Sequence, residues 1–205
     1  MTSPVSRVGI VAKSHLRAAT QHLTDIEAWL ADRGTDAVFE TATAVLMPAS
    51  PNRRVADKST LVTTVDLVVV LGGDGTLLSI ADAIGAAGSG IPMLGVNFGS
   101  LGFLTEVTLP ELYPSLDAAL SGRAHVEDRM MLQSTTLRAG AVFADHIALN
   151  DVVITKGARS RMIDLSVSVG GEFVTRVTNS PPTDTERSII RDRAPLVMTT
   201  SFSAM

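Results

Sequence analysis

One aspartate stands among three glycines in the segment LVVVLGGDGTLLSIAD, residues 67–82. The apolar run before it is typical of a buried strand, and Leu77, Leu78, Ala81 and Ile84 after it have helical spacing. The glycine loop is therefore expected at the carboxyl end of a strand in an open α/β sheet, where ligands bind. Glycines there let backbone N–H groups approach a phosphate, and the positive end of the following helix favours the negative charge.

The carboxylate of Asp74 leaves two interpretations of this loop open. The loop is neither a P-loop, because the lysine and the longer spacing are missing, nor a GxGxxG motif. A carboxylate beside a phosphate-binding loop suits a kinase that acts on an alcohol, in which the base accepts the hydroxyl proton while backbone amides and Mg²⁺ hold the phosphoryl donor. The alternative is a structural or cofactor-binding loop, and spacing alone does not decide between them.

The segments around the loop predict two domains and a tail. Apolar segments alternate with helical patterns up to residue 122, which predicts an α/β domain with a parallel sheet over residues 1–122. The predicted strands are RVGIVA, DAVFETATAV, VDLVVVL and IPMLGVNFG, and the predicted helices include one with Leu16, Ala19, Leu23, Ile26 and Leu30 on its apolar face, ended by Gly34, and one over TLPELYPSLDAALSG.

From residue 123 the pattern changes to short alternating segments, which predict an antiparallel all-β domain, with too few strands to be complete, over residues 123–177. MIDLSVSVGGEFVTRV is the clearest of them, a hairpin with its turn at Gly170 and Gly171. Residues 178–205 read as a divergent tail, in which APLVMTTSF could form one short strand.

Composition excludes several classes of function. The formal net charge is -4, and the 17 Lys and Arg residues are scattered, so we predict no nucleic-acid partner. No apolar stretch reaches the roughly 20 residues that span a bilayer, and the N-terminus has no signal-peptide pattern, so we expect a cytoplasmic protein without a membrane partner. There is no cysteine, and the four histidines lack metal-ligand spacing, so no metal site of protein side chains is predicted.

Three segments together carry a resemblance to a known family. GGDGTLL, GVNFGSLGFLTE and ALNDVVIT occur in this order, and with them the chain resembles the bacterial NAD kinase family over about residues 5–177. GGDGT alone is shared more widely, with diacylglycerol and sphingosine kinases. The resemblance implies phosphorylation of the 2′-hydroxyl of the adenosine ribose of NAD to give NADP. ATP or another phosphoryl donor, Mg²⁺ or another divalent cation, and a homo-oligomer are expected with it.

The resemblance also assigns roles to residues of this sequence. Asp74 would be the general base, the loop that receives phosphates would comprise Gly72, Gly73, Gly75 and Thr76, and contacts to the nucleotide would come from Phe103, beside the adenine, and from Asn150 and Asp151. Without the resemblance, Phe103 would be an ordinary core aromatic. Asn150 and Asp151 would form an Asx-turn ahead of a strand.

The resemblance stops after about residue 177. Family members continue with a Thr-Pro-Thr-Gly-Ser-Thr-Ala-Tyr block that closes the nucleotide site, and nothing in TNSPPTDTERSIIRDRAPLVMTTSFSAM matches it. A shifted reading frame would produce such a tail, and reading the downstream DNA in the other frames tests this. The alternatives to an active NAD kinase are a truncated fragment that only binds nucleotides or oligomerises, and a lipid or small-alcohol kinase that shares only GGDGT.

Overall fold

The computed structural model describes residues 5–14, 19–98, 102–138, 141–149, 164–169, 172–178, 187–191 and 198–199. The chain divides into two compact units, of which the first comprises Met1–Met131 together with Ala194–Met205 and the second comprises Leu132–Arg193.

A six-stranded parallel sheet forms the centre of the first unit. Its strands are β1 (Arg7–Ala12), β2 (Asp36–Glu40), β3 (Arg54–Ala56), β4 (Leu67–Gly72), β5 (Met93–Asn97) and β6 (Val107–Thr108). They lie in the order β3-β2-β1-β4-β5-β6, and every neighbouring pair is parallel. The strands β2 and β3 thus follow one another outward from β1 on one side of the sheet, and β5 and β6 follow outward from β4 on the other. The boundary between β1 and β4 is the switch point at which sheets of this kind bind ligands.

In the described part of the first unit, four helices lie between strands of the sheet, and a 3-10 turn at Leu109–Glu111 and a fifth helix follow β6. The five helices are α1 (Ala19–Ala31), α2 (Thr41–Ala44), α3 (Lys58–Thr64), α4 (Asp74–Ala87) and α5 (Leu112–Leu120). The chain leaves α1 through Gly34 and α4 through Gly88, with φ of 69° and 63°, in the left-handed region that glycine adopts without strain. In the described part of the chain, no helix is both long and apolar enough to cross a membrane.

The core follows the sequence pattern with one exception. All six residues of β4 are buried, as the continuous apolar run predicts. The predicted apolar face of α1 is confirmed at all of its described positions, Ala19, Leu23, Ile26 and Leu30. The helix predicted from the spacing of Leu77, Leu78, Ala81 and Ile84 is confirmed as α4, although Leu78 is 38% exposed. The buried face of α4 consists of Leu77, Ile80, Ala81, Ile84 and Gly85.

The second predicted strand is shorter than expected. DAVFETATAV was one strand in the prediction, but β2 ends at Glu40 and the next residues form α2. The cause is a helix cap, because Glu40 Oε2 accepts hydrogen bonds from the Thr43 backbone N–H at 3.0 Å and from its hydroxyl at 3.1 Å. The sequence analysis also missed β3, α3 and β6, three short elements without a long apolar pattern.

The second unit contains antiparallel strands, which confirms the predicted fold class of an α/β domain followed by antiparallel β structure. They are β8 (Leu132–Arg138), β9 (Ala141–Ala148), β10 (Asp164–Val169), β11 (Glu172–Thr178) and β12 (Arg187–Arg191), paired as β12-β8-β9 and β10-β11. The predicted antiparallel pairing of β10 with β11 is confirmed, and its predicted turn at Gly170 and Gly171 lies outside the described residues. In the tail, β12 was not expected. The short strand predicted there is β13 (Met198–Thr199), which belongs to the first unit and pairs with β7 (Asp128–Arg129). The segment DVVITKG, which the alternating pattern also predicts to be a strand, lies outside the described residues.

Asp66 ties the start of β1 to the start of β4. Its Oδ2 accepts hydrogen bonds from the Ser6 backbone N–H at 2.9 Å, the Ser6 hydroxyl at 2.9 Å and the Arg7 backbone N–H at 2.8 Å. Desolvation raises the pKa of Asp66, but these donors and the Arg7 charge outweigh it and hold the pKa below its ordinary value. The carboxylate therefore stabilises the fold above the unfolded-state pKa of about 3.9, and this contribution is lost as the pH falls through the lower folded-state pKa.

Asp66→Asn should therefore lower the melting temperature at pH 7, and the difference from wild type should shrink as the pH falls below about 4. Thermal unfolding followed by circular dichroism between pH 2.5 and 7 measures the melting temperature at pH 7 and the change of this difference with pH. Asp32→Asn, at an exposed position just after α1, is the matched control and should not reproduce this pH dependence. A destabilisation that is constant over the pH range would contradict an ionic origin.

Candidate functional site

The predicted glycine loop joins β4 to α4 at the switch point of the sheet. Gly72 is the last residue of β4, Gly73 is the N-cap of α4, and Asp74 is the first residue of the helix. A Cβ on Gly72 would lie 2.7 Å from Thr76 Oγ1 and 3.3 Å from Lys13 Cβ, so packing requires glycine here. A Cβ on Gly73 or Gly75 would meet no atom within 4 Å, which leaves their backbone open to a ligand.

Asp74 lies at the N-terminal end of α4 but faces a second loop, the one that follows β5. Its Oδ2 accepts a hydrogen bond from the Phe103 backbone N–H at 2.8 Å. Its Oδ1 accepts from the Leu104 N–H, the Thr105 N–H and the Thr105 hydroxyl, each at 3.1 Å. The site thus joins the loops at the carboxyl ends of two neighbouring strands, β4 and β5.

These donors set the charge of Asp74. Desolvation raises the pKa of the carboxyl, but the three backbone N–H groups and the Thr105 hydroxyl stabilise the ionised form and bring the net pKa below its ordinary value. The positive end of α4 acts in the same direction, because Asp74 is in its first turn. Asp74 is therefore a carboxylate at neutral pH, an acceptor of protons and not a donor.

Gly102 is a residue of this site that the sequence analysis missed. A Cβ there would overlap Asp74 Oδ1 and would lie 2.7 Å from both Asp74 Cγ and Thr105 Oγ1. Any other residue at position 102 would push the carboxylate out of its place. The sequence signal for Gly102 is the LGFLTE block, in which it directly precedes Phe103.

Phe103 lies beside the carboxylate by its backbone, while its side chain is 93% exposed. The structure therefore excludes the alternative interpretation of Phe103 as a core aromatic. A large apolar ring in solvent next to a cavity-bearing loop is available for stacking against a planar ligand. Asn150 and Asp151, the other two predicted contacts, lie outside the described residues.

A cavity of about 390 Å³ lies beside the glycine loop. Gly73 and Gly75 line it, together with polar side chains from the ends of β1 and β2 and from α3 and α4, namely Lys13, Ser14, Glu40, Lys58, Thr76 and Ser79. Lys58 Nζ donates a hydrogen bond to Ser79 Oγ at 2.5 Å. The described lining has two lysines, Lys13 and Lys58, and one carboxylate, Glu40, and it lies beside the N-terminus of the 14-residue helix α4. This excess of positive charge favours an anionic ligand.

Of these cavity residues, the sequence analysis identified only the glycines and Thr76. Lys13, Glu40 and Lys58 are far apart in the sequence and meet because parallel strands bring their carboxyl ends to one edge. Within the described ranges, no three His, Cys, Asp or Glu side chains cluster as metal ligands.

Comparison with known proteins identifies the family. The family model for the ATP-NAD kinase N-terminal domain matches residues 8–124, more than half of the chain. An NAD kinase of Citrifermentans bemidjiense is 42% identical over 171 residues, which are 83% of this chain and 59% of that protein. The chain belongs to the NAD kinase family. An NAD kinase of Geobacter metallireducens is 54% identical over 110 residues, 54% of this chain and 38% of the relative.

A solved structure agrees on the fold. Yeast NADH kinase, crystallised in complex with NADH, superimposes with a TM-score of 0.75 and 23% sequence identity, over 86% of this chain and 56% of the yeast chain. At that identity the likeness establishes a shared fold. The chain spans about three fifths of the length of the curated NAD kinases that it matches. Asp74, its donors and the cavity all lie within the matched N-terminal domain, whereas Asn150 and Asp151 follow it.

Proposed function

We propose that this chain is an NAD kinase that transfers the γ-phosphoryl group of ATP to the 2′-hydroxyl of the adenosine ribose of NAD. The observation that carries the proposal is Asp74, an ionised carboxylate fixed at the first residue of α4 beside an open glycine loop. Membership in the NAD kinase family and sequence identity of 42% to curated NAD kinases support the choice of substrate.

Asp74 would act as the general base. The 2′-oxygen forms a bond to the γ-phosphorus of ATP, the bond from that phosphorus to the β,γ-bridging oxygen breaks, and ADP leaves. The hydroxyl proton passes to the Asp74 carboxylate. Its lowered pKa makes Asp74 a weak base, but phosphoryl transfer depends mainly on positioning and charge stabilisation, so a fixed, ionised acceptor suffices.

The cavity beside Gly73 and Gly75 would receive the phosphates of the donor. Backbone N–H groups in the first turn of a helix have no intrahelical partner, and the helix dipole favours anions there. Lys13 and Lys58 add positive charge to the same cavity. In this arrangement the backbone phosphate-binding groups and the base would belong to one short loop, and the two lysines would come from the end of β1 and the start of α3.

A divalent cation fits this arrangement only as part of the donor complex. Mg²⁺ is usually held by one or two carboxylates together with substrate phosphates, not by an all-protein cage, and no cage exists among the described residues. Glu40 is the carboxylate among the described cavity residues and would hold the ion. When bound, Mg²⁺ would neutralise charge on the transferring phosphoryl group.

The remaining assignments complete the proposal. Phe103 would pack against the adenine with its exposed ring, and Asn150 and Asp151 would hydrogen-bond the nucleotide. The protein would act in the cytoplasm as a homo-oligomer, with an α/β domain over residues 1–122, a partial β domain over 123–177 and a divergent tail over 178–205. A chain that binds nucleotide without turnover is the second candidate, because this one spans only about three fifths of the length of its relatives.

The test is NADP formation by the purified 205-residue chain. With NAD, ATP and Mg²⁺, we expect NADP and ADP in equal amounts, measured with an NADP-specific dehydrogenase and by chromatography. Diacylglycerol in place of NAD should give no phosphorylated product. A rise in melting temperature with NAD or ATP but no NADP would favour the second candidate, because ligands that bind the native state stabilise it without turnover.

A further inference from the structure

The two oxygens of the Asp74 carboxylate are occupied to different extents. An ionised carboxylate offers about four lone-pair positions, two on each oxygen. Oδ1 accepts three hydrogen bonds, from the Leu104 N–H, the Thr105 N–H and the Thr105 hydroxyl. Oδ2 accepts one described hydrogen bond, from the Phe103 N–H. Among the described donors, three therefore bond to Oδ1 and one to Oδ2, so Oδ2 is the less occupied oxygen of the carboxylate.

Thr105 is placed to hold this arrangement. It is fully buried, and its backbone N–H and its hydroxyl both donate to the same oxygen of Asp74. Its methyl group faces β5, since a Cβ on Gly95 would lie 3.2 Å from Thr105 Cγ2. The side chain is thus fixed between the sheet and the carboxylate.

We propose that Thr105 is a positioning residue for Asp74, whose hydroxyl orients the carboxylate so that Oδ2 is the oxygen that accepts the substrate proton. This deepens the proposed function and rests on it for the identity of the substrate, a ribose hydroxyl. The proton leaves the hydroxyl oxygen as that oxygen bonds to phosphorus, and it forms the O–H bond at Oδ2. Oδ1 keeps its three donors throughout.

Other charges near Asp74 act on it less directly. No described residue forms an ion pair with Asp74. The charged side chains on the elements that pack around it or adjoin it are Lys13 after β1, Asp57 and Lys58 at the start of α3, Asp82 on α4 and Glu106 after the loop. The pKa of Asp74 is therefore lowered by hydrogen bonds and not by ion pairs. Desolvation raises this pKa, but the hydrogen bonds outweigh it.

The test compares Thr105→Val with Thr105→Ser. Valine keeps the shape of the side chain but removes the hydroxyl, whereas serine keeps the hydroxyl. In Thr105→Val we expect kcat to fall about tenfold, the loss that one hydrogen bond to a charged group produces, with little change in KM for NAD. The acid limb of the kcat/KM profile should move to higher pH, because the pKa of Asp74 rises toward its ordinary value. In Thr105→Ser, kcat and the acid limb of the kcat/KM profile should both stay close to those of the wild type.

A second readout does not need turnover. Titration of the ¹³C-labelled carboxyl of Asp74, assigned by its absence in Asp74→Asn, gives the pKa directly in the folded chain. The pKa of Asp74 should rise in Thr105→Val and should stay close to the wild-type value in Thr105→Ser. Thr108→Val is the matched control, because its hydroxyl donates to the exposed Glu111 carboxylate at 2.7 Å, and it should leave the Asp74 titration unchanged.

The outcomes separate this inference from the proposed function. An unchanged Asp74 titration in Thr105→Val, with the fold intact by circular dichroism, overturns the positioning role even if NADP forms. A shifted titration in a chain that forms no NADP supports the role of Thr105 toward the carboxylate and refutes the proposed activity of this chain. A fall in activity of equal size in Thr105→Ser and Thr105→Val also overturns it, since packing alone would then account for the loss.

Discussion

Asp74→Asn should lower kcat for NADP formation by roughly 10²- to 10⁴-fold, the range that a general base contributes. Asparagine keeps the size of the side chain but has no negative charge and cannot accept the hydroxyl proton. It also places an N–H₂ group near either the Phe103 N–H or the donors on Oδ1, so one side of the hydrogen-bond set is lost. The loss should therefore appear in kcat, measured at saturating NAD and ATP, more than in KM.

The matched control for this variant is Asp82→Asn, on the exposed face of the same helix. It removes the same charge from α4 without touching the loops, and NADP formation should stay within about twofold of wild type, as is usual for surface substitutions. Equal rates in Asp74→Asn and wild type would rule out Asp74 as the base. A matching loss in both variants would point to the net charge of the helix instead.

Gly102→Ala should remove most of the activity and destabilise the protein by about 1–3 kcal/mol, the cost of forcing a methyl group into a packed site. The new Cβ would overlap Asp74 Oδ1. The carboxylate would have to move, and its hydrogen bonds to Leu104 and Thr105 would lengthen or break. The cause is space alone, since Gly102 is not among the described glycines with positive φ.

Urea unfolding and the NADP assay measure the two effects of Gly102→Ala. The stability control is Gly75→Ala, where a Cβ would meet no atom within 4 Å. Because Gly75 lies inside α4, alanine should raise the free energy of unfolding by up to about 1 kcal/mol. If Gly102→Ala is as stable and as active as wild type, Asp74 does not sit where the structure places it.

The sequence predicted those parts of the fold that depend on long, regular apolar patterns. β1 and β4 were recognised because continuous β-branched runs are typical of strands buried on both faces. β3 and β6 were missed because two or three residues cannot establish a period. The end of β2 was misplaced because a glutamate side chain, and not the pattern of apolar residues, starts α2 at that point.

The candidate site was predictable only where a motif marks it. Asp74 and its glycines stand together in one segment, and their residue types suggest a phosphate loop with a base. The contacts of Asp74 with Phe103, Leu104 and Thr105 were not predictable from composition, because they use backbone N–H groups that almost every residue has. Only the fold brings the two loops together, by pairing β4 with β5.

The described partners of Asp74 all follow it within the next stretch of chain, up to Thr105, inside a single compact unit. In evolutionary terms, Asp74 and its described hydrogen-bond donors form a module that is inherited as one segment of the first unit. Substitutions in the second unit leave every member of that module unchanged.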